Sequence, residues 1–193
     1  YPIRPEWTEK YLGGRGLGAR VLLEELPPGV DPLGPENVLV FATGPLQGTG
    51  VAGAGRHVVM AKSPKTGSVS GSYAGGFFPH ELGRSGYDGI LVRGQAATPK
   101  YLALTDGTAE LLDADDLWGE DVADVEATLK DRHDGGRVAS IGVAGENRSA
   151  LAAIINDRNR AAGRPGFGAV MGSKRLKAVV AKGDVEKPVH DEE

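Results

Sequence analysis

The chain has 193 residues, 22 basic against 26 acidic side chains, a formal charge of -4 and no cysteine. At about 150 residues per domain one domain is the default, and 40% apolar with 25% charged residues is the balance of a folded, soluble protein. Lack of cysteine excludes disulfides, thiolate catalysis and a cluster ligated by this chain, and no apolar run reaches the roughly 18 residues of a membrane span.

In chain order, the start at Tyr1 without methionine is that expected of a processed or excised piece. Trp7 to Leu26 then reads as one helix, with Thr8 as N-cap and Pro27-Pro28-Gly29 as its stop. Inside it, Gly14-Arg15-Gly16-Leu17-Gly18-Ala19 spells a loose dinucleotide fingerprint, which we reject because a true one follows a strand. Small residues for close packing explain it. Short strands are expected at Val38 to Thr43, His57 to Lys62, Gly89 to Arg93, Tyr101 to Thr105, Ala109 to Leu112 and Val138 to Ile141. Helices are expected at Phe77 to Arg84 and Val122 to Arg132. Mixed without strict alternation, these elements predict an α+β fold.

Thirty glycines are about 16% of the chain, against about 7% in ordinary proteins. They punctuate an internal repeat. Phe78 to Gly94 aligns without a gap on Phe167 to Gly183, bringing Gly83 onto Gly172 and Ile90-Leu91-Val92 onto Val179-Val180-Ala181. Upstream, each copy has a strand running into a glycine turn, and each has a Gly-Arg, Gly55-Arg56 or Gly163-Arg164. We read a duplicated β-turn-β-helix-β unit, roughly 38–94 and 138–183, in a single domain 1–193 with internal pseudo-two-fold symmetry.

The acids are unevenly spread. None occurs over the 44 residues from Asn37 to His80 or the 26 from Arg158 to Gly183, yet those windows hold ten of the 22 basic residues. Basic side chains beside glycine-rich backbone make an anion site, and arginine's planar fork suits phosphate. Arg56, Arg160 and Arg164, bracketed by small residues, are the candidates. Lys174, Arg175 and Lys177 read as helix C-terminal charges facing water.

Known alternatives fail. In Gly166-Phe167-Gly168-Ala169-Val170-Met171-Gly172-Ser173-Lys174 the serine precedes the lysine, which is not a P-loop. An acidic net charge and 6% aromatics argue against nucleic acid. His57, His80, His133 and His190 lack metal-ligand spacing, and no catalytic trio declares itself. The residues describe a platform for a cofactor.

A set of runs carries a family likeness: Tyr11-Leu12-Gly13-Gly14-Arg15-Gly16-Leu17, Pro32-Leu33-Gly34-Pro35-Glu36-Asn37, Ala42-Thr43-Gly44-Pro45-Leu46-Gln47-Gly48-Thr49, Lys62-Ser63-Pro64-Lys65-Thr66-Gly67, Gly86-Tyr87-Asp88, Leu117-Trp118-Gly119, Ala144-Gly145-Glu146-Asn147, and Arg160-Ala161-Ala162-Gly163-Arg164 through Lys174. In this order, over nearly the whole chain, they resemble the N-terminal domain of the aldehyde ferredoxin oxidoreductase family. The resemblance implies a β-rich base for a tungsten or molybdenum bis-pterin cofactor in a cytoplasmic enzyme. Such an enzyme oxidises aldehydes to carboxylic acids and passes electrons through a [4Fe-4S] cluster to ferredoxin. Helical C-terminal domains, outside this chain, would hold the cluster, and the domain alone would be inactive.

Position by position, the resemblance assigns cofactor contacts to Arg56, to a glycine-rich turn at Tyr73, Ala74 and Gly75, and to Arg160, Ala161, Gly163 and Arg164. Backbone carbonyls at Tyr73 and Ala161 would bind a magnesium ion between the pterin phosphates, which suits an oxygen-seeking cation. The chain departs from the family at Tyr73, where asparagine is usual, and at Pro165, where glycine is usual and an N–H is lost. The family's N-terminal hairpin is curtailed to Tyr1 to Pro5. Exposed strands of such a base tend to pair, leaving a homo-oligomer open. The rival reading is a non-catalytic interaction module whose basic surface docks a protein or another anion; a nucleotide-binding domain is weaker still.

Overall fold

The computed structural model describes residues 1–188. His190 and the end of the 1–193 reading lie outside the described residues. Two sheets form the frame. The first contains β1 (Leu39–Ala42), β2 (His57–Lys62), β3 (Val69–Ala74) and β4 (Gly89–Val92), in the order β3-β2-β1-β4, all antiparallel. The second contains β5 (Lys100–Thr105), β6 (Thr108–Asp113), β7 (Arg137–Ser140), β8 (Ile154–Asn156), β9 (Arg160–Ala162) and β10 (Leu176–Lys182), in the order β6-β5-β10-β7-β8-β9. Among the described residues, β5 and β10 alone pair in parallel.

Among the described residues six helices pack on these sheets: α1 (Pro5–Tyr11), α2 (Gly14–Glu25), α3 (Phe78–Arg84), α4 (Val122–Arg132), α5 (Val143–Glu146) and α6 (Phe167–Ser173). Strand alternation decides which layer each apolar side chain enters. On β1, Leu39 and Phe41 face the central core while Val40 and Ala42 face Trp7, Leu17, Val21 and Leu22 of α1 and α2. On β10, Val179 and Ala181 enter the same central core while Ala178 and Val180 meet Val125 and Leu129 of α4. The central core between the sheets also takes Phe78 and Leu82 of α3 and Phe167, Val170 and Met171 of α6. The order of layers is therefore helix, sheet, central core with two helices, sheet, helix. This is the expected α+β class.

The expected helix from Trp7 to Leu26 is two helices. Leu12 leaves the helical region at φ 60°, and the Gly14 N–H turns to the Thr43 carbonyl at 2.7 Å. Thr8 is no cap; its hydroxyl bonds the Pro5 carbonyl one turn back. Two glycines of the rejected fingerprint serve packing, since a Cβ on Gly16 or Gly18 would stand 2.8 Å from the Tyr11 carbonyl or Met60 Sδ, whereas Gly14 is needed for its φ of 52°. The N-cap of α4 follows sequence rules: Asp121 accepts from the Ala123 and Asp124 N–H groups at 2.8 and 3.2 Å.

Three strands were not legible. β3 is Val-Ser-Gly-Ser-Tyr-Ala, too poor in apolar residues to read as a strand, and β8 and β9 are three residues each. The first copy is thus β-β-β-helix-β, and the second adds the short α5 between its first two strands. The aligned segments coincide element by element: α3 and α6 occupy matching positions, and β4 matches the core of β10. The Gly-Arg pairing of the repeat does not hold, because Arg56 enters β2 whereas Arg164 follows β9.

Two of the lysines expected to face water are buried. Lys177 pairs with the equally buried Glu146 and donates to the Glu120 carbonyl at 2.8 Å. Lys174 donates to the carbonyls of Gly94 and Pro35 at 3.0 and 3.3 Å, and burial pushes its ammonium pKa down to about 8. Loss of water, compensated by fixed carbonyls, makes both of them struts. Arg175 is half-buried and bonds the Ala97 carbonyl.

Candidate functional site

The eight candidate residues gather where β3 and β9, each paired on one side only, end their sheets. Arg56 sits just before β2, exposed, with its carbonyl held by Gln47 Nε2 at 2.8 Å. Across the ladder His57 faces Ala74 and Val58 faces Tyr73. Tyr73 and Ala74 are therefore the last residues of a strand, not a turn; the turn is Gly75-Gly76, and Gly76 takes φ 100°. Gly55 and Gly75 lie back to back: a Cβ on Gly75 would be 3.5 Å from the Gly55 carbonyl. On the other sheet Ile155 faces Ala161 and Asn156 faces Arg160, with Gly163 and Arg164 following. Arg160, Ala161, Gly163 and Arg164 are all exposed.

Tracing rungs across each sheet relates the two groups. One rung of the first sheet runs Gly89, Ala42, Val58, Tyr73. A rung of the second runs Ala178, Ser140, Ile155, Ala161. Gly89 and Ala178 are matched positions of the sequence repeat, so Tyr73 and Ala161 end matched rungs.

The two edges are joined directly. The Arg164 N–H donates to Ser72 Oγ at 3.1 Å, Ser63 Oγ donates to the Pro165 carbonyl at 2.7 Å, and Asn156 Nδ2 donates to the Gly75 carbonyl at 2.8 Å. Asp157 Oδ2 accepts from the Phe77 and Phe78 N–H groups at 2.7 and 3.1 Å, capping α3, whose own N-cap residue Phe77 offers no acceptor. Sequence reasoning missed Ser72, Asn156 and Asp157. Its one available signal was that Asp157 is the acid bounding the second acid-free window.

Electrostatically the junction is cationic. Arg56, Arg160 and Arg164 pair with no carboxylate among the described residues, nor do Arg15, Arg148, Arg158 and Arg175, whereas Arg4, Arg20, Arg84, Arg93, Arg132 and Arg137 do. Unpaired, exposed guanidinium groups beside free strand edges can take an anion bidentately. No group of three or more His, Asp or Glu able to hold a metal occurs among the described residues, so a cation here would need backbone and ligand oxygens. Behind the site His57 is fully buried between Phe41 and Phe78, with ring centroids at 6.2 and 5.2 Å and neither nitrogen partnered. Burial pushes its pKa down to about 4, against the opposing charge of Asp157. Cavities of about 360 and 730 Å³ lie beside α2 and between α1, α2 and β4; none of the eight residues lines either.

The family model described as aldehyde ferredoxin oxidoreductase, N-terminal domain, matches residues 1–183. The tungsten-containing aldehyde ferredoxin oxidoreductase of Pyrococcus furiosus is 47% identical over 190 residues, covering 97% of this chain and 31% of that protein. An aliphatic sulfonate oxidoreductase, WOR-like subunit, from the same organism is 41% identical, covering 96% of this chain and 32% of that one. Among solved structures, the active site complex BamBC of benzoyl coenzyme A reductase in complex with 1,5 dienoyl-CoA superposes with a TM-score of 0.92 at 41% identity. It matches 96% of this chain and 29% of its own. The chain spans about a third of the length of the curated relatives it matches. With the family model matched over residues 1–183, this chain belongs to the aldehyde ferredoxin oxidoreductase N-terminal domain family.

Proposed function

We propose that this chain is the single-domain base for a tungsten or molybdenum bis-pterin cofactor in a cytoplasmic oxidoreductase. The observation that carries this reading is the correspondence of Tyr73 and Ala161, each at the edge end of one of two matched rungs and flanked by arginines that no carboxylate neutralises. A doubled scaffold with internal pseudo-two-fold symmetry suits a doubled ligand. The residues present fit the group: Arg56, Arg160 and Arg164 for phosphate or pterin contacts, Ala74, Gly75 and Gly163 as backbone contacts, and the Tyr73 and Ala161 carbonyls for magnesium. Loss of the N–H at Pro165 removes one donor from the second turn, and the exposed Tyr73 phenol supplies no asparagine amide.

When bound, the metal-dithiolene group supplies two-electron redox chemistry. This chain's own residues would bind and orient it: the guanidinium groups of Arg56, Arg160 and Arg164 would neutralise the phosphate ends beside the edges of β3 and β9. Aldehyde oxidation, and electron transfer through a [4Fe-4S] cluster to ferredoxin, would need helical domains beyond this chain, so the isolated domain would be inactive. The matched relatives are named for aldehydes, sulfonates and a coenzyme A thioester, at 41–47% identity to this chain. That spread supports a base shared across substrates, with the reacting group selected elsewhere in the protein.

The test is cofactor content. Arg56→Ala and Arg164→Ala, each in protein expressed from its own gene, should lower pterin and metal per polypeptide. A contact to a charged group contributes roughly 1.5–3 kcal/mol, about ten- to a hundredfold in affinity. Unchanged content in both variants would refute the site.

A further inference from the structure

The first sheet's glycine turn is held by residues of the second sheet. Asn156 takes the Gly75 carbonyl, and Asp157 takes the N–H groups of Phe77 and Phe78. Arg137, opening β7, completes the arrangement: its Nη1 lies 3.7 Å from Asp157 Oδ1, and its guanidinium covers the Phe77 ring at 4.8 Å. Asn156 Nδ2 also bonds Asp157 Oδ2 at 2.8 Å, so amide and carboxylate act as one unit.

Two further observations point beyond simple packing. Asp157 and Arg158 both adopt left-handed backbone, at φ 46° and 65°, where glycine would be less strained by roughly 1–2 kcal/mol per residue. A glycine at 157 would lose the carboxylate. Gly76, facing that carboxylate, has φ 100°, and a Cβ there would collide with Asp157 Oδ2. The fit is two-sided, and it sets the orientation of a peptide plane. In a trans peptide the C=O and the following N–H point oppositely. With the Gly75 carbonyl drawn to Asn156, the Gly76 N–H is turned away from the second sheet, and it meets no acceptor among the described residues.

We infer that Asp157, together with Asn156, is a positioning residue that fixes the Gly75-Gly76 turn from the opposite sheet, so that the two halves of the cofactor cradle form as one unit. This rests on the cofactor reading above. The carboxylate never touches the ligand; it acts through the turn it caps. A single strained hairpin in one half thereby governs the donor geometry of the other.

The experiment uses protein expressed from its own gene, with Asp157→Ala, Asp157→Asn and a control, Leu129→Ala, which removes bulk from the distant α4 layer. Hydrogen exchange is followed by mass spectrometry on cofactor-free protein, and pterin and tungsten or molybdenum per folded polypeptide on protein grown with metal. In Asp157→Ala the peptide carrying Phe77 and Phe78 should exchange at least tenfold faster while β10 stays protected, and cofactor content should fall severalfold. Asp157→Asn keeps an acceptor oxygen and should retain most of both. Leu129→Ala should lower thermal stability with cofactor content unchanged. Faster exchange without cofactor loss, or equal loss in Leu129→Ala, would overturn the positioning role. If Asp157→Ala yields no folded protein, Asn156→Ala against Asp157→Asn makes the same comparison, with loss expected only in the former. Exchange reads the latch without any cofactor, so its failure is separate from that of the cofactor reading, which falls if Arg56→Ala and Arg164→Ala leave content unchanged.

Discussion

Arg164 donates its backbone N–H to the hydroxyl of Ser72 at 3.1 Å, across 92 positions of sequence. Ser72 faces Val59 within the first sheet, and Arg164 follows the last strand of the second. The bond therefore ties two sheet edges whose own ladders end there. Ser72→Ala should lower stability by about 1 kcal/mol, a usual value for one such hydrogen bond. A urea titration measures it. Cofactor content should fall as well, because the arginine would lose its backbone anchor.

His57 gives the fold a dependence on pH. Its folded pKa, about 4, lies below the ordinary 6.5, because burial opposes the charged ring more than Asp157 favours it. As pH falls through 6.5 the unfolded chain takes up the proton first, so stability declines from there and levels off below about pH 4. Integrated over that window the loss is about 3 kcal/mol. His57→Phe should remove this decline, and should stabilise at neutral pH by on the order of 1 kcal/mol by replacing two unpartnered nitrogens. Urea midpoints measured between pH 4 and 7 test both effects; an unflattened profile would show that other groups dominate.

Lys177 and Glu146 are both buried, and the pair holds the Trp118-Gly119-Glu120 turn through the Glu120 carbonyl and the Gly119 N–H. Removing one partner leaves an uncompensated charge. Lys177→Met should cost about 3–5 kcal/mol, and the double variant Lys177→Met/Glu146→Leu should recover part of that loss. Additive costs in a denaturation cycle would contradict a coupled pair.

Gly172 of α6 lies against α5 so closely that a Cβ would strike the Gly145 carbonyl. Gly172→Ala should destabilise by on the order of 1–3 kcal/mol, because neither backbone can yield without moving its helix. Thermal melting would register this, whereas Gly135→Ala, with no atom near its Cβ, tests only the strain of its φ of 86°.

Most central strands were legible because their residues alternate or run apolar, as in Leu39-Val40-Phe41-Ala42 and Val58-Val59-Met60-Ala61. The repeat was legible for the same local reason: Phe78 and Phe167, Leu82 and Met171, and Gly83 and Gly172 recur at equal spacing, and burial of one face demands that recurrence. The acid-free windows marked the cationic residues. The edges were not legible. Val69-Ser70-Gly71-Ser72-Tyr73-Ala74 becomes a strand only because β2 offers it a ladder, and Lys174 and Lys177 become interior only because carbonyls and Glu146 arrive from elsewhere in the chain. Sequence alone thus determined the class of fold and marked the basic residues of the acid-free windows, since these follow from local pattern and composition. Tertiary structure decided which of those residues meet. The bonds from Arg164 to Ser72 and from Asp157 to Phe77 and Phe78 join positions some 80 to 90 apart, and no local periodicity records such a distance.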